Sequence, residues 1–214
     1  LLVPDANTTA IEITARNVTL DLNGFSIIGP TRYAKPPTGA ICVPFSTSAT
    51  TGYGVLHSPP FDTTLNDYPP SNIVVRNGSI FGMGNSGIVL IGTDNKVDRV
   101  HFHENAGNGL VVYDGEITHS QASRNCGIGI NVFHGLVSFN VSSYNLMEGI
   151  RIDYEALVTS NTSFLNGAQG LRILGSGVPI FDGGYGNNVC FTNAGGAVTG
   201  GTSLGHNLCD GTPC

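Results

Sequence analysis

The stretch "NAGNGLVVYDGEITHSQASRNCGIGINVFHGLVSFNVSSYNLMEGIRIDYEALVTSNTSFLNGAQGLRIL", Asn105 to Leu174, repeats itself. An asparagine opens each unit, and glycine follows four residues later at Gly109, Gly129, Gly149 and Gly170. Alternating apolar pairs come next: Leu110/Val112, Ile130/Val132, Ile150/Ile152 and Leu171/Ile173. Extended to both sides, the asparagine register reads Asn85, Asn105, Asn125, Asn145, Asn166 and Asn187, in steps of 20, 20, 20, 21 and 21. Twelve residues after each of the first five lies another apolar residue: Val97, Ile117, Val137, Leu157 and Val178.

A short unit with period-two alternation and Asn/Gly turns is the pattern of a solenoid built from strands. The 3.6-residue period of helical repeats is missing, as is the leucine frame of leucine-rich repeats. The expectation is an all-β, single-stranded right-handed parallel β-helix, its coils stacked about 4.8 Å apart. A turn asparagine tolerates left-handed backbone. Six in register further imply a ladder of side-chain amides bonded from coil to coil.

The segments "NVTLDLNGFSIIGP" and "NIVVRNGSIFGMGNSGIVL", with the repeat, resemble bacterial right-handed parallel β-helix repeat proteins of the pectate-lyase-like superfamily. The ending "GHNLCDGTPC" is similar to the terminal segment of many of them. The resemblance implies the fold. It implies no single activity, because lyases, hydrolases, epimerases, adhesins and fibres share that fold. The hydrolase motifs Asn-Thr-Asp, Asp-Asp and Gly-His-Gly are absent, and so is the clustered Asp of the calcium-dependent lyases, so no catalytic residue is carried over.

The chain of 214 residues suits one domain over 1–214. Residues 30–71 interrupt the repeat with eight of the eleven prolines. Proline cannot donate to a sheet ladder, so this segment is expected outside the coil stack. Its aromatics Tyr33, Phe45, Tyr53, Phe61 and Tyr68 suit an ordered lid, binding arm or subunit contact. Residues 188–214 form a cysteine-containing cap. There Cys209 is expected to pair with Cys214 or Cys190, which implies an oxidising compartment. Cys126 reads as a small buried residue.

Only 11% of residues are charged, against about 25% in an average domain. The net charge of −6 argues against nucleic acid, and no apolar run is long enough for a transmembrane helix. The chain opens at Leu1 without Met, which reads as a processed product of an exported, extracellular or cell-surface protein.

Outward positions carry the candidate chemistry. Arg151 and Arg172 should stand one coil apart, with Asn131 beneath them, Asp153 beside them, and Tyr113 and Phe133 in the next column. Arginine binds carboxylates bidentately and sugar faces can lie on aromatic rings, so a uronic-acid site is one reading; a surface Arg–Asp network with an exposed aromatic pair, or a protein contact, is the other. In "HFHEN", His101, His103 and Glu104 lie too close along one strand to converge on zinc, and a Glu104–Arg124 salt bridge is the expectation. No metal and no cofactor are expected. His119 and His134 have no evident partner. Asn7, Asn17, Asn77, Asn140 and Asn161 stand in Asn-x-Ser/Thr triplets that could accept glycans. Two functions follow: a structural or binding module that self-associates into a fibre or layer or engages a glycan, and an enzyme acting on acidic polysaccharide.

Overall fold

A computed structural model describes residues 1–34, 41–43, 51–64, 66–175 and 183–214. The chain winds through three faces of short parallel strands. Face A stacks Ile11–Glu12, Val55–His57, Ile88–Leu90, residues 110–112, 130–132 and 150–152, Leu171–Ile173 and Val198–Thr199. Face B runs from Thr19–Asp21 through residues 74–76, 96–98, 115–118, 135–138 and 156–159 to Gly184–Gly186 and Thr202–Ser203. Face C runs from Ser26–Ile28 through residues 79–81 and 101–103 to Gln121–Ser123, Val141–Ser143, Thr162–Phe164, Val189–Phe191 and Leu208–Cys209. Strands such as Leu110–Thr118 turn the corner from A to B without a break. The described residues hold no helix. This is the expected right-handed parallel β-solenoid.

Alternation decides what faces inward. Leu110, Val112, Ile130, Val132, Ile150, Ile152, Leu171 and Ile173 are all buried in one continuous core with Val97, Ile117 and Val137. Truncating any of these to alanine would cost about 2–5 kcal/mol, depending on how far the neighbours relax. The twelve-residue spacing fails at Leu157, which is 44% exposed, while Val158 is fully buried. Val178 lies outside the described residues.

The asparagine ladder is real, with different ends. The backbone N and Nδ2 of Asn105 both donate to Asn125 Oδ1, at 3.2 and 2.9 Å. Asn125 does the same to Asn145, Asn145 to Asn166, and Asn166 to Asn193. Asn85 and Asn187 are not rungs. Met83 holds the place before Asn105, its N donating to Asn105 Oδ1. Asn193 replaces Asn187 because residues added between faces A and B in that coil lengthen the step to 27. A second ladder at the corner from B to C joins Asn140, Asn161, Asn188 and Asn207.

The rungs are not the left-handed residues. The residue before each one is: Arg124, Tyr144 and Leu165 have φ of 55°, 58° and 55°, and Phe139, Ser160 and Asn187 have 59°, 58° and 57°. A non-glycine residue there costs about 1–3 kcal/mol. The doubly donated amide that follows it offsets that strain.

The insertion is shorter than 30–71. Val55–His57 is a strand of face A between Ile11–Glu12 and Ile88–Leu90, and Val55 is fully buried. The prolines fall in two groups, Pro30 to Pro44 and Pro59 to Pro70, and the proline-free "TGYGVLH" between them rejoins the coil. The first excursion carries an antiparallel hairpin, Arg32–Ala34 with Ile41–Val43; Phe45 lies outside the described residues. The second forms an arm, described at residues 58–64 and 66–70.

At the other end, Thr212–Pro213 folds back antiparallel on Leu208–Cys209, and a Cys209–Cys214 disulfide closes the turn. Cys190 is a free, buried thiol. Cys126 is half-buried and disulfide-bonded rather than a buried core residue.

Candidate functional site

The corner between faces A and B gathers the aromatic and charged side chains. Tyr113 and Phe133 stack with ring centroids 5.6 Å apart, and Phe133 stands 6.0 Å from Tyr154. From the arm, Tyr68 meets Tyr113 edge-on at 4.9 Å, and Phe61 meets Tyr68 at 5.2 Å. The Tyr113 hydroxyl donates to Asp67 Oδ1 at 3.2 Å. The coil period thus lines up Tyr113, Phe133 and Tyr154 along the solenoid axis, with the arm closing over the first ring.

Sequence spacing placed Asp153 over Phe133, and the structure places Tyr154 there. Ile152 pairs with Val132 but Glu155 pairs with His134, so the strand Ile150–Thr159 carries one extra residue at this point. Such a bulge turns one side chain aside. Asp153 swings to Arg151, with Arg151 Nε donating to its Oδ1 at 2.7 Å. The same extra residue exposes Leu157.

Arg151 and Arg172 are register partners with Asn131 next in the column, as the spacing required. They do not share one anion. Arg172 Nη1 donates to Glu148 Oε1 at 2.8 Å, and Glu148 is only 2% exposed. Arg151 engages Asp153 through Nε alone, so its terminal amines have no protein partner among the described residues. Beside it, the buried Asn131 Oδ1 also lacks a hydrogen-bond partner. Unmet donors and an unmet acceptor therefore adjoin one another next to the aromatic row.

The column beyond the rings was not recognised from sequence. Asp114 and His134 are register partners. His134 stacks on Tyr154 at 5.2 Å and meets Tyr113 at 5.8 Å. Burial pushes the Asp114 carboxyl above the usual carboxylate range; Asp94 and Asp67 add to the rise and His134 opposes it. Burial and Asp67 likewise raise the Tyr113 phenol. A signal existed: nine residues after Asn85, Asn105, Asn125 and Asn145 come Asp94, Asp114, His134 and Tyr154.

The remaining candidates lie elsewhere. His103 stacks on Phe81 at 4.5 Å, and burial lowers its pKa. Arg124 lies over the Tyr144 ring. His119 meets Asp98 at 3.2 Å and stacks on Phe139. Among the described residues no group of three His, Cys, Asp or Glu is placed to hold a metal ion. Asn140 and Asn161 are rungs of the second ladder, 1% and 2% exposed, so their amides are closed to a glycan. Asn7 and Asn17 are exposed, and Asn77 is half-buried with its Nδ2 on Asp21. No helix among the described residues is long and apolar enough to cross a membrane.

No protein-family model matches the chain, and no curated protein matches its sequence. Among solved structures the chain is similar to the A-module of the mannuronan C-5 epimerase AlgE4 of Azotobacter vinelandii, with a TM-score of 0.50 and 15% identity. The match covers 74% of this chain and 48% of that one, so the chain spans about half the length of its structural neighbour. At that identity the likeness is one of fold.

Proposed function

We propose that this β-solenoid is an extracellular module that engages an acidic glycan along the corner between faces A and B. The observation that carries the reading is the pair of Arg151 terminal amines, without a protein partner among the described residues, beside the row Tyr113, Phe133 and Tyr154. The rings stack on one another, so they offer apolar edges to pyranose C–H groups, and Arg151 offers its two terminal amines to a uronate carboxylate. Coils repeat about every 4.8 Å, so successive sugars could meet equivalent positions. The Cys209–Cys214 disulfide supports export to an oxidising compartment.

Self-association into a fibre is less well supported. End-to-end growth needs open strand edges; Thr212–Pro213 occupies the outer edge of Leu208–Cys209 on face C, while Val198–Thr199 and Thr202–Ser203 end faces A and B without a further strand among the described residues.

Catalysis is a second reading, favoured by the register pairing of Asp114 with His134 and by the burial that holds the Asp114 carboxyl toward its protonated form. A carboxyl and an imidazole are both groups that can act as acid or base, and the structural neighbour is a mannuronan epimerase.

Affinity electrophoresis through gels containing polymannuronate, polygalacturonate or a neutral glucan tests the reading. Retardation is expected on an acidic polymer and reduced for Arg151→Ala; equal mobility in every gel rejects it. Incubation with the retarding polymer, followed by proton NMR for C5 inversion or unsaturated ends, decides between binding and turnover.

A further inference from the structure

We infer that the arm, residues 58–70, blocks the aromatic row at its N-terminal end, so that the site takes the terminus of a glycan chain rather than its middle. The inference rests on the glycan reading above. An uninterrupted solenoid face would let a polymer run past the site in both directions. Here the arm leaves the coil after His57 and returns at Ser71, and Pro70 bridges to Thr93 on the coil that follows. Before returning, it lays Tyr68 against Tyr113 at 4.9 Å and braces Tyr68 from behind with Phe61 at 5.2 Å.

Asp67 fixes this wall by accepting the Tyr113 hydroxyl. A second tie holds the arm in shape: Asp62 and Asp67 exchange backbone hydrogen bonds at 2.9 and 3.3 Å. Phe61 also lines a half-open pocket of about 610 Å³ with Glu12, Arg16 and Asp62. Among the described residues the row continues from Phe133 to Tyr154.

The wall carries chemistry suited to an end. A chain terminus differs from an internal unit by an extra free hydroxyl. The carboxylate of Asp67, which already accepts the Tyr113 hydroxyl, is an acceptor for such a hydroxyl. A polymer passing through would instead present a glycosidic oxygen, which has no hydrogen to donate.

Stoichiometry reads the difference. Titration calorimetry with size-defined oligomers of the retarding uronate, a tetramer and a twentymer, counts proteins per chain. One protein per chain at both lengths is expected. Several proteins on the twentymer would overturn end recognition while leaving glycan binding intact, and no heat with either oligomer would reject the glycan reading itself and the inference with it. Tyr68→Ala, with circular dichroism unchanged, should remove the wall and raise the count on the twentymer above one. A count still at one, in a variant that binds, would show that the arm does not set the end.

Discussion

His134 lies flat on Tyr154, with ring centroids 5.2 Å apart and planes 4° from parallel, although its register partner is Glu155. One extra residue in the strand Ile150–Thr159 produces this offset. It swings Asp153 onto Arg151 and brings Tyr154 beside Phe133 and His134. Tyr154→Ala should therefore weaken binding of the acidic glycan by about 0.5–1.5 kcal/mol, the scale of one aromatic contact, which is roughly a two- to tenfold change. Deleting Tyr154 instead would restore the plain period; calorimetry should then show binding lost, because Asp153 would move into the row.

Asp114 gives a pH signature. Its folded pKa is raised, chiefly by burial. A raised carboxyl contributes stability below its unfolded pKa, and that contribution is lost as pH rises through the folded value. Asp114→Asn should therefore raise the melting temperature at pH 7 and leave it nearly unchanged at pH 3. A melting temperature lowered by the substitution at pH 7 would contradict the assignment.

Asn145 is the middle rung of the first ladder. Its Oδ1 accepts from both the N and Nδ2 of Asn125, at 3.0 and 2.9 Å, and its Nδ2 reaches Asn166 and Ser142. Asn145→Ala should cost about 2–3 kcal/mol in urea unfolding, since buried donors lose their acceptor. An effect under about 0.5 kcal/mol would mean the ladder is ornamental.

The cysteines separate by reactivity. Burial pushes the Cys190 thiol up to about 12, so native protein at pH 8 should resist alkylation there and react only once unfolded. Non-reduced peptide mapping should recover Cys209 linked to Cys214. Opening that short loop by Cys214→Ser should cost about 2 kcal/mol by the chain-entropy estimate.

Much of the fold was legible because a solenoid writes its period into the sequence. Leu110/Val112 and Ile150/Ile152 had to face one way, and they are buried. The glycine after each rung was legible too, and the structure explains it by space: a Cβ on Gly149 would meet Asn166 Nδ2 and Gly170 O. What the spacing concealed was every departure from the period. The single inserted residue near Asp153 shifted the outward column by one, and the longer coil before Asn193 displaced the last rung from Asn187. The second ladder was hidden because its rungs Asn140 and Asn161 also read as glycosylation triplets. Arg151, Arg172 and Asn131 stand in one column, as their repetition at the coil period required. Asp67 and Tyr68 were not, because an arm reaches Tyr113 by a path that no period encodes. Proline density over residues 30–71 marked an excursion, but only burial of Val55 shows that there are two.

The central claim is that an acidic glycan lies on the corner between faces A and B. Proton–carbon NMR of the aromatic and arginine side chains, titrated with the uronate oligomer, tests it most directly. The account predicts shift changes at Phe133, His134, Tyr154 and Arg151, little change at Phe164 and Phe191 on face C, and loss of the changes in Arg151→Ala. Changes centred on face C, or changes that survive Arg151→Ala in full, would contradict it.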